Sequence, residues 1–458
     1  MSGRNRLFLC LAASYFFYGY WDWRFLTLIF ASTLVDFTIA QRIDHLNQEE
    51  GRSVKKKQLL ITSLVVNLGF LAFFKYYNFF IDSFENLLLG LGWETSTKSL
   101  NIILPVGISF YTFQSMSYTI DVYRRQISAE KDFLKFATYI SFFPQLVAGP
   151  IVRAKDFLPQ FNRPRAFEWA LFMSGASQVL WGFFKKVAVA DSLAPFVDQC
   201  FEMPEAFSSL HLLIGIFFYS FQIYCDFSGY SDIAIGLARM MGFDFPVNFR
   251  TPYFSRSFSE FWTRWHITLS SWLRDYLYIP LGGNRHGQFK TFRNLMITML
   301  LGGLWHGASW VYVFWGFLHG LYLVLQRLLQ KPMEKLWDSL RLPSFLQAAI
   351  SMLVVYLLTC LAWIFFRSPD FETASYYIMR IGAFEDMHPS SIINKFMVLK
   401  CMLLLMFLIL VEVTNFRFQY TNSLIQRPIL RLIAFTLLLW MIAFFGTFGG
   451  NSFIYFQF

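Results

Sequence analysis

Apolar runs long enough to cross a lipid bilayer recur from one end of this sequence to the other. A transmembrane helix needs about 20 mostly apolar residues. Such runs lie near 7–20, 25–40, 59–80, 101–122, 169–197, 210–238, 292–308, 309–329, 347–366, 398–415 and 429–448. With 56% hydrophobic residues and a mean hydropathy of +0.44, the chain is too apolar for a soluble globular protein. The pattern predicts an all-α, multi-pass membrane protein that forms a single domain over residues 1–458.

The excess of basic residues also fits a membrane protein. The formal net charge is +10, and lysine and arginine concentrate in the cytoplasmic loops of such proteins. We therefore expect no nucleic-acid partner. The loops expected on the cytoplasmic side are 42–58, 241–293, 327–341 and 416–431, which leaves the N-terminus inside and the C-terminus outside. The five cysteines show no CxxC spacing, so neither a disulfide framework nor a metal site is expected.

The apolar run 133–150 conflicts with this topology if it crosses the membrane. A crossing there would put the basic loops 42–58 and 241–293 on opposite sides, against the positive-inside rule. Both flanks of the run are basic, and it ends in Gly149 and Pro150. We therefore predict a re-entrant segment that enters and leaves on the cytoplasmic side. Such a segment is tolerated only when it is buried in protein or lines a water-filled cavity.

A stretch rich in tryptophan and arginine, at 261–285, reads FWTRWHITLSSWLRDYLYIPLGGNR. Its apolar residues recur at helical spacing and predict one amphipathic helix with a face formed by Trp262, Trp265, Leu269, Trp272 and Tyr276. Tryptophan with arginine on a moderately apolar helix is typical of a helix that lies in the membrane interface. We expect His266 at the edge of the apolar face, and Pro280 with the glycines after it should end the helix.

A second stretch, GLWHGASWVYVFWGFLHG at 303–320, places His306 in a run with no charge between Asn294 and His319. An ionisable residue at membrane depth is a functional candidate, because leaving it unpaired there is costly. Room for another backbone or a ligand to approach is left by Gly302, Gly303 and Gly307. The alternative is a histidine that only packs between helices. The spacing does not show whether His306 and His319 share a face, because Gly307 is able to break the helix.

Polar side chains also lie inside other apolar runs. Asp226 and Asp232 frame the segment QIYCDFSGYSD, which favours a hydrogen-bonded network that orders neighbouring helices. Lys185 and Lys186 lie late in an apolar run and either extend to an interface, which we favour, or touch an anionic donor.

A basic cytoplasmic surface is expected around the first stretch. It comprises Asn248, Arg250, Arg256, Arg264, Arg274 and Arg285. This surface would either contact lipid headgroups or attract an anionic, phosphate-bearing donor into a funnel.

Common catalytic motifs are absent from the sequence. There is no GxxxxGK loop, and there is no HExxH or GxSxG pattern. An enzyme of this sequence would therefore need a donor that is already activated. Histidine is then the natural base, because its pKa lies near neutrality.

At these residues the chain resembles the membrane-bound O-acyltransferase (MBOAT) family, in the branch that includes bacterial alginate O-acetyltransferase membrane subunits. The resemblance covers most of 100–320 and the end of the chain. It rests on segments at 109–124, 142–153 (FFPQLVAGPIVR), 222–285, 303–320 and 453–458 (FIYFQF). It implies a ring of about 11 transmembrane helices, with re-entrant and interfacial helices around a cytoplasmic funnel.

The resemblance implies transfer of an acyl group, with acetyl expected, from a cytosolic thioester such as acetyl-CoA and without a bound cofactor. The family's near-invariant histidine falls on His306, which would act as the base. Its second recurrent histidine falls on His266, which would position or assist. Residues expected to bind donor or substrate are Arg264, Arg274, Arg285, Trp305, His319 and Asp226.

The resemblance also implies a place in the cell envelope. The acyl group would cross the bacterial inner membrane to an extracytoplasmic polysaccharide such as alginate, cellulose or peptidoglycan. The expected partners are the lipid bilayer, a periplasmic SGNH-type acetyltransferase and a polysaccharide synthase or export complex. The rival hypotheses are a transporter or flippase without acyl-transfer chemistry, and a scaffold subunit of a secretion complex. The paired broken helices and repeats that favour a transporter are not seen in the sequence.

The tail FIYFQF follows a glycine-rich break and is expected outside. It is either an aromatic anchor in the membrane interface or an acyl relay. Tyr455 carries the only hydroxyl group of the tail, and an aryl ester formed there would be reactive enough to pass the acyl group on. In the teichoic-acid relatives a similar motif lies on a separate small partner implicated in receiving the acyl group.

Overall fold

The computed structural model describes residues 3–49, 53–93, 99–163, 166–384, 395–418, 428–449 and 453. Helices dominate these ranges, and no strand occurs within them. The described helices that are long and apolar enough to cross a membrane number 6: Arg24–Asn47, Ser53–Gly90, Ser209–Met240, Trp310–Leu340, Ser344–Arg367 and Lys395–Thr414. The all-α, multi-pass class is confirmed, and the ring of about 11 helices stays a prediction.

Two compact units make up the chain, and the first comprises Met1–Gly175 and Leu237–Pro246. Its helices are α1 (Gly3–Asp22), α2 (Arg24–Asn47), α3 (Ser53–Leu71), α4 (Tyr77–Gly90), α5 (Ile108–Tyr123), α6 (Phe133–Ser141), α7 (Phe143–Leu146) and α8 (Ala154–Phe157). A π-helical turn, Ala72–Tyr76, joins α3 to α4. The predicted span 59–80 therefore lies inside one continuous helix of 38 residues.

The predicted span 101–122 starts too early. Helix α5 begins only at Ile108, after Gly107 in a left-handed conformation with φ 74°. A side chain at residue 107 would overlap the carbonyl oxygen of Leu146, so the close approach requires glycine. The helical part of this segment is therefore 16 residues long, shorter than the run of apolar residues suggests.

The predicted re-entrant segment 133–150 is broken into two short helices. Asp132 caps α6, because its carboxylate accepts a hydrogen bond of 2.9 Å from the backbone N–H of Leu134. The helix stops at Phe142, and α7 adds only four residues. Nine residues of α-helix span about 13 Å, less than half of the bilayer's hydrocarbon thickness. The break agrees with the re-entrant prediction, and the segment's side of the membrane stays a prediction.

A buried carboxylate ties three helices of the first unit together. Asp36 on α2 is fully buried and accepts hydrogen bonds from Ser63 (2.5 Å) and Asn67 (2.8 Å) on α3. A longer contact of 3.4 Å comes from Thr119 on α5. In a hydrocarbon environment such bonds replace those that water would make. This residue went unnoticed in the sequence because its partners lie 27 to 83 positions away.

The second unit comprises Ala176–Gly236 and Val247–Phe458. The remaining α-helices within the described residues are α9 (Trp169–Phe183), α10 (Asp191–Glu202), α11 (Ser209–Met240), α12 (Phe258–Arg264), α13 (Ile267–Leu273), α14 (Gln288–His306), α15 (Trp310–Leu340), α16 (Ser344–Arg367), α17 (Phe371–Ala383), α18 (Lys395–Phe418) and α19 (Pro428–Phe445). A π-helical segment, Phe184–Ala190, links α9 to α10, and another, Arg274–Tyr278, extends α13. All three candidate histidines lie in this unit.

Candidate active site

His266 lies at a break between two short helices. The prediction of a single amphipathic helix through it is wrong, because α12 ends at Arg264 and α13 begins at Ile267. His266 itself has a left-handed backbone, φ 42°, which costs about 1 kcal/mol or more for a residue with a side chain. The break is held by the preceding loop: Ile267 donates its N–H to the carbonyl of Asn248 at 2.9 Å.

The side chain of His266 is buried and held in place, so its predicted position at the edge of an interfacial helix is wrong. Its Nδ1 lies 3.2 Å from Oδ1 of Asn248. Asn248 is fully buried as well, so its assignment to the basic cytoplasmic surface is also wrong. Burial lowers the pKa of His266 to about 3, which keeps the imidazole neutral at physiological pH.

His306 is the last residue of α14, and Gly307 continues in an extended conformation before α15 begins at Trp310. Close backbone approach was expected here, and it is confirmed at Gly303, where a side chain would overlap the carbonyl oxygen of Tyr312. The partial negative charge at the C-terminal end of a helix favours a cation beside it. The ring of His306 therefore lies at the negatively polarised end of α14, beside the break that Gly307 makes.

The three histidines alternate with two tryptophans in one row of contacting rings. Ring centroids are 5.9 Å apart between His266 and Trp305, and 5.1 Å between Trp305 and His306. The row continues through Trp315, which lies 4.9 Å from His306 and 4.7 Å from His319. The break at Gly307 lets α15 fold back along α14, and this brings His306 and His319 to the same tryptophan.

His319 is enclosed by aromatic rings. Its ring stacks on Phe261 at 5.8 Å and packs edge-on against Trp262 at 5.1 Å. The side chain is fully buried, and neither ring nitrogen has a hydrogen-bond partner within the described part of the chain. A neutral imidazole carries one donor and one acceptor. His319 is therefore suited to binding a small polar group, as predicted for a substrate-binding residue, though that role stays a prediction.

The basic surface is partly neutralised by neighbouring carboxylates. Arg264 is half-buried and pairs with Glu260 at 2.8 Å, and its guanidinium also lies over the ring of Phe416. Arg274 pairs with Asp275 at 2.7 Å. Arg274 is exposed, and so are Arg250, Arg256 and Arg285, which form no ion pair with a carboxylate of the described residues. Attraction of an anionic donor would therefore depend mainly on these three arginines, because an ion-paired arginine presents less net charge.

Asp226 belongs to a buried ion-pair cluster rather than to the row of rings. It pairs with Lys186 at 2.6 Å, and Lys186 also pairs with Asp191 at 2.8 Å. Lys185 pairs with Asp232 and with the Ser228 hydroxyl. Both lysines are buried, so the prediction that they extend to an interface is wrong. The structural network predicted from Asp226 and Asp232 is confirmed.

The described part of the tail is a single residue, Phe453. Its side chain is buried and packs on Tyr230 and Phe227, with ring centroids 4.4 Å and 5.7 Å away. Phe227 in turn packs edge-on against His266 at 4.6 Å. Tyr455 lies outside the described residues. The side chain of Phe453 therefore lies in the interior of the second unit, on the Phe227 ring that contacts His266.

The row of histidines and tryptophans lies in a part of the chain that matches a known protein family. The model of the MBOAT, membrane-bound O-acyltransferase family matches residues 18–366, a range that holds all three candidate histidines. This chain belongs to that family and is a multi-pass membrane O-acyltransferase. The resemblance inferred from the sequence is confirmed.

Three relatives show how similar this chain is to individual members of the family. The probable alginate O-acetylase AlgI of Azotobacter vinelandii is 43% identical over 371 residues, which cover 81% of this chain and 71% of that protein. The peptidoglycan O-acetyltransferase of Helicobacter pylori is 37% identical over 395 residues, which cover 81% of this chain and 72% of that protein. A teichoic acid D-alanyltransferase of Streptococcus thermophilus is 32% identical over 234 residues, covering 48% and 56% respectively.

Sequence reasoning misassigned one residue that shapes the site, Asn248, and missed another, Trp315. Asn248 precedes His266 by 18 positions yet holds its ring. Trp315 separates His306 from His319, although nothing in its sequence context distinguishes it from the other tryptophans of the stretch. For Asn248, the one usable signal was an uncharged amide side chain between Val247 and Phe249, two apolar residues.

Proposed function

We propose that this enzyme transfers an acetyl group from a cytosolic thioester, such as acetyl-CoA, towards an extracytoplasmic polysaccharide. Relatives named as alginate O-acetylase and peptidoglycan O-acetyltransferase support acetyl as the group and a polysaccharide as the final acceptor. The proposed setting is the bacterial inner membrane, with the basic loops facing the cytosol. Arg250, Arg256 and Arg285 would guide the phosphate groups of the donor to the cytoplasmic side of the site.

His306 would act as the general base. Its imidazole takes the proton of an attacking hydroxyl, whose oxygen forms a bond to the thioester carbonyl carbon. The carbon–sulfur bond then breaks, and the thiolate takes the proton back from the imidazolium. An ester and a free thiol result. The observation that carries this assignment is the position of His306, buried between Trp305 and Trp315 at the C-terminal end of α14.

The hydroxyl that receives the acyl group first would belong to Tyr455. Its aryl ester would be reactive enough to pass the acyl group to an SGNH-type partner on the outer side. The burial of Phe453 beside Phe227 supports a tail that enters the protein rather than one that only anchors in the interface. A polysaccharide synthase or export complex would supply the final acceptor.

Sealed membrane vesicles of opposite orientation test the direction of transfer. Acetyl-CoA does not cross a membrane because it is a large polyanion. With radiolabelled acetyl-CoA outside, vesicles that expose the cytoplasmic face should transfer label, and vesicles of native orientation should not. Transfer by native-orientation vesicles would contradict a cytosolic donor site. Polysaccharide export that continues without any protein-dependent label would instead favour a flippase.

A further inference from the structure

The amide orientation of Asn248 is determined by a backbone group. Its side-chain oxygen lies 3.2 Å from the backbone nitrogen of Thr268 and 2.9 Å from the Thr268 hydroxyl. The two ends of an asparagine amide have the same shape, so their assignment must come from hydrogen bonds. A backbone N–H can only donate, so the atom that faces it must be the amide oxygen. The amide nitrogen then donates to Ser231 at 3.0 Å.

The same oxygen lies 3.2 Å from Nδ1 of His266. An amide oxygen can only accept, so Nδ1 must carry a hydrogen. A neutral imidazole has a single N–H, and its other nitrogen is then an acceptor. The ring is neutral at physiological pH, because burial among Phe227, Phe249 and Trp305 disfavours the imidazolium.

We infer that Asn248 is a positioning residue that fixes His266 in the tautomer protonated at Nδ1, so that Nε2 is a hydrogen-bond acceptor. The tautomer itself does not depend on the proposed acyl transfer. Only the role of His266 in the reaction rests on that proposed function. With Nε2 unprotonated, His266 cannot donate a proton to the departing thiolate. Instead, Nε2 of His266 accepts a hydrogen bond from a hydroxyl or amide N–H of a substrate, and His306 takes the proton of the attacking hydroxyl.

The tautomer can be observed without measuring activity. Purified protein labelled with ¹⁵N-histidine gives separate nitrogen signals for protonated and unprotonated ring positions. The His266 signals are those lost in His266→Gln. We expect a neutral ring protonated at Nδ1 at pH 7. Protonation at Nε2, or an imidazolium at pH 7, would overturn the inference.

Three variants separate positioning from folding. Thr268→Val removes the hydroxyl and keeps the backbone N–H, so the Nδ1–H signal should persist. Asn248→Asp keeps an acceptor at the same place and should also retain a proton on Nδ1. Asn248→Leu removes the acceptor, and the proton should move to Nε2 in protein that still purifies as a folded species. Retention of the Nδ1–H tautomer in Asn248→Leu would contradict the role of Asn248.

Acyl transfer gives the second readout. Losing a group that orients a metal-binding histidine costs about 10- to 100-fold, and we expect the kcat of Asn248→Leu to fall by a similar factor with little change in KM. If the wild-type protein transfers no acetyl group, the proposed function fails while the tautomer result stands. If Asn248→Leu keeps full activity, the positioning role fails while the proposed function stands.

Discussion

Gly303 and Gly316 meet where α14 and α15 pack against each other. A methyl group on Gly303 would lie 3.1 Å from Cα of Gly316 and would overlap the carbonyl oxygen of Tyr312. His306 follows on α14 by three residues and Trp315 directly precedes Gly316, so this contact sets the spacing between the two rings. The row of histidines and tryptophans therefore depends on a contact that only glycine permits.

Gly303→Ala should force the two helices apart. Overpacking of this kind costs about 1–3 kcal/mol, and displacement of His306 should reduce acyl transfer in protein that still inserts. Gly302→Ala is the matched control, because the nearest atom to its methyl group is the flexible end of Leu273 at 3.3 Å. Thermal unfolding in detergent and acetyl transfer should both be measured. Equal unfolding temperatures and equal acetyl transfer in Gly303→Ala and Gly302→Ala would show that the contact is unimportant.

Asp226→Asn should reduce stability without changing the KM for the donor. The substitution leaves Lys186 paired with Asp191, so the cost should stay below the about 3–5 kcal/mol of a buried charge left without any partner. Asp275→Asn, which breaks a pair with the exposed Arg274, should cost about 1 kcal/mol or less. A normal unfolding temperature combined with a raised donor KM in Asp226→Asn would instead assign Asp226 to donor binding.

Tyr455→Phe should abolish acetylation of the polymer while leaving protein level unchanged. The variant keeps the aromatic ring and removes the only hydroxyl of the tail, so an anchor would be almost unaffected. Tyr230→Phe loses a hydroxyl from the ring that packs on Phe453 and serves as the control. Wild-type acetylation in cells that carry only Tyr455→Phe would rule out the relay.

Much of the membrane architecture could be predicted, because apolar length and basic loops follow from the cost of burying polar groups in hydrocarbon. The break at His266 could not be predicted from the sequence. Apolar residues keep helical spacing on both sides of it, from Trp262 to Tyr276, and the cause lies in the backbone of Asn248. A local pattern cannot report a competing hydrogen bond from another part of the chain.

The pairing of the two buried lysines could not be predicted for the same reason. Lys185 and Lys186 lie near the end of an apolar run, where lysine commonly extends to water. Their partners Asp226 and Asp232 were recognised as a network, but pairing across two helices depends on how the helices meet. Gly182 and Gly229 bring α9 and α11 together there, since a side chain at 182 would lie 2.6 Å from the carbonyl oxygen of Gly229. Helix packing, rather than composition, decides the pairing.

The central claim is that His306 takes the proton of the attacking hydroxyl, and one substitution tests it most directly. His306→Gln keeps a polar side chain of similar size in the buried position but cannot act as a base near neutral pH. The control is His45→Ala, an exposed histidine of the first unit. Polymer-bound acetyl groups should be measured in cells with equal levels of inserted protein. We predict that His306→Gln reduces acetylation about 100-fold or more and that His45→Ala leaves it unchanged; wild-type acetylation by His306→Gln would contradict the mechanism.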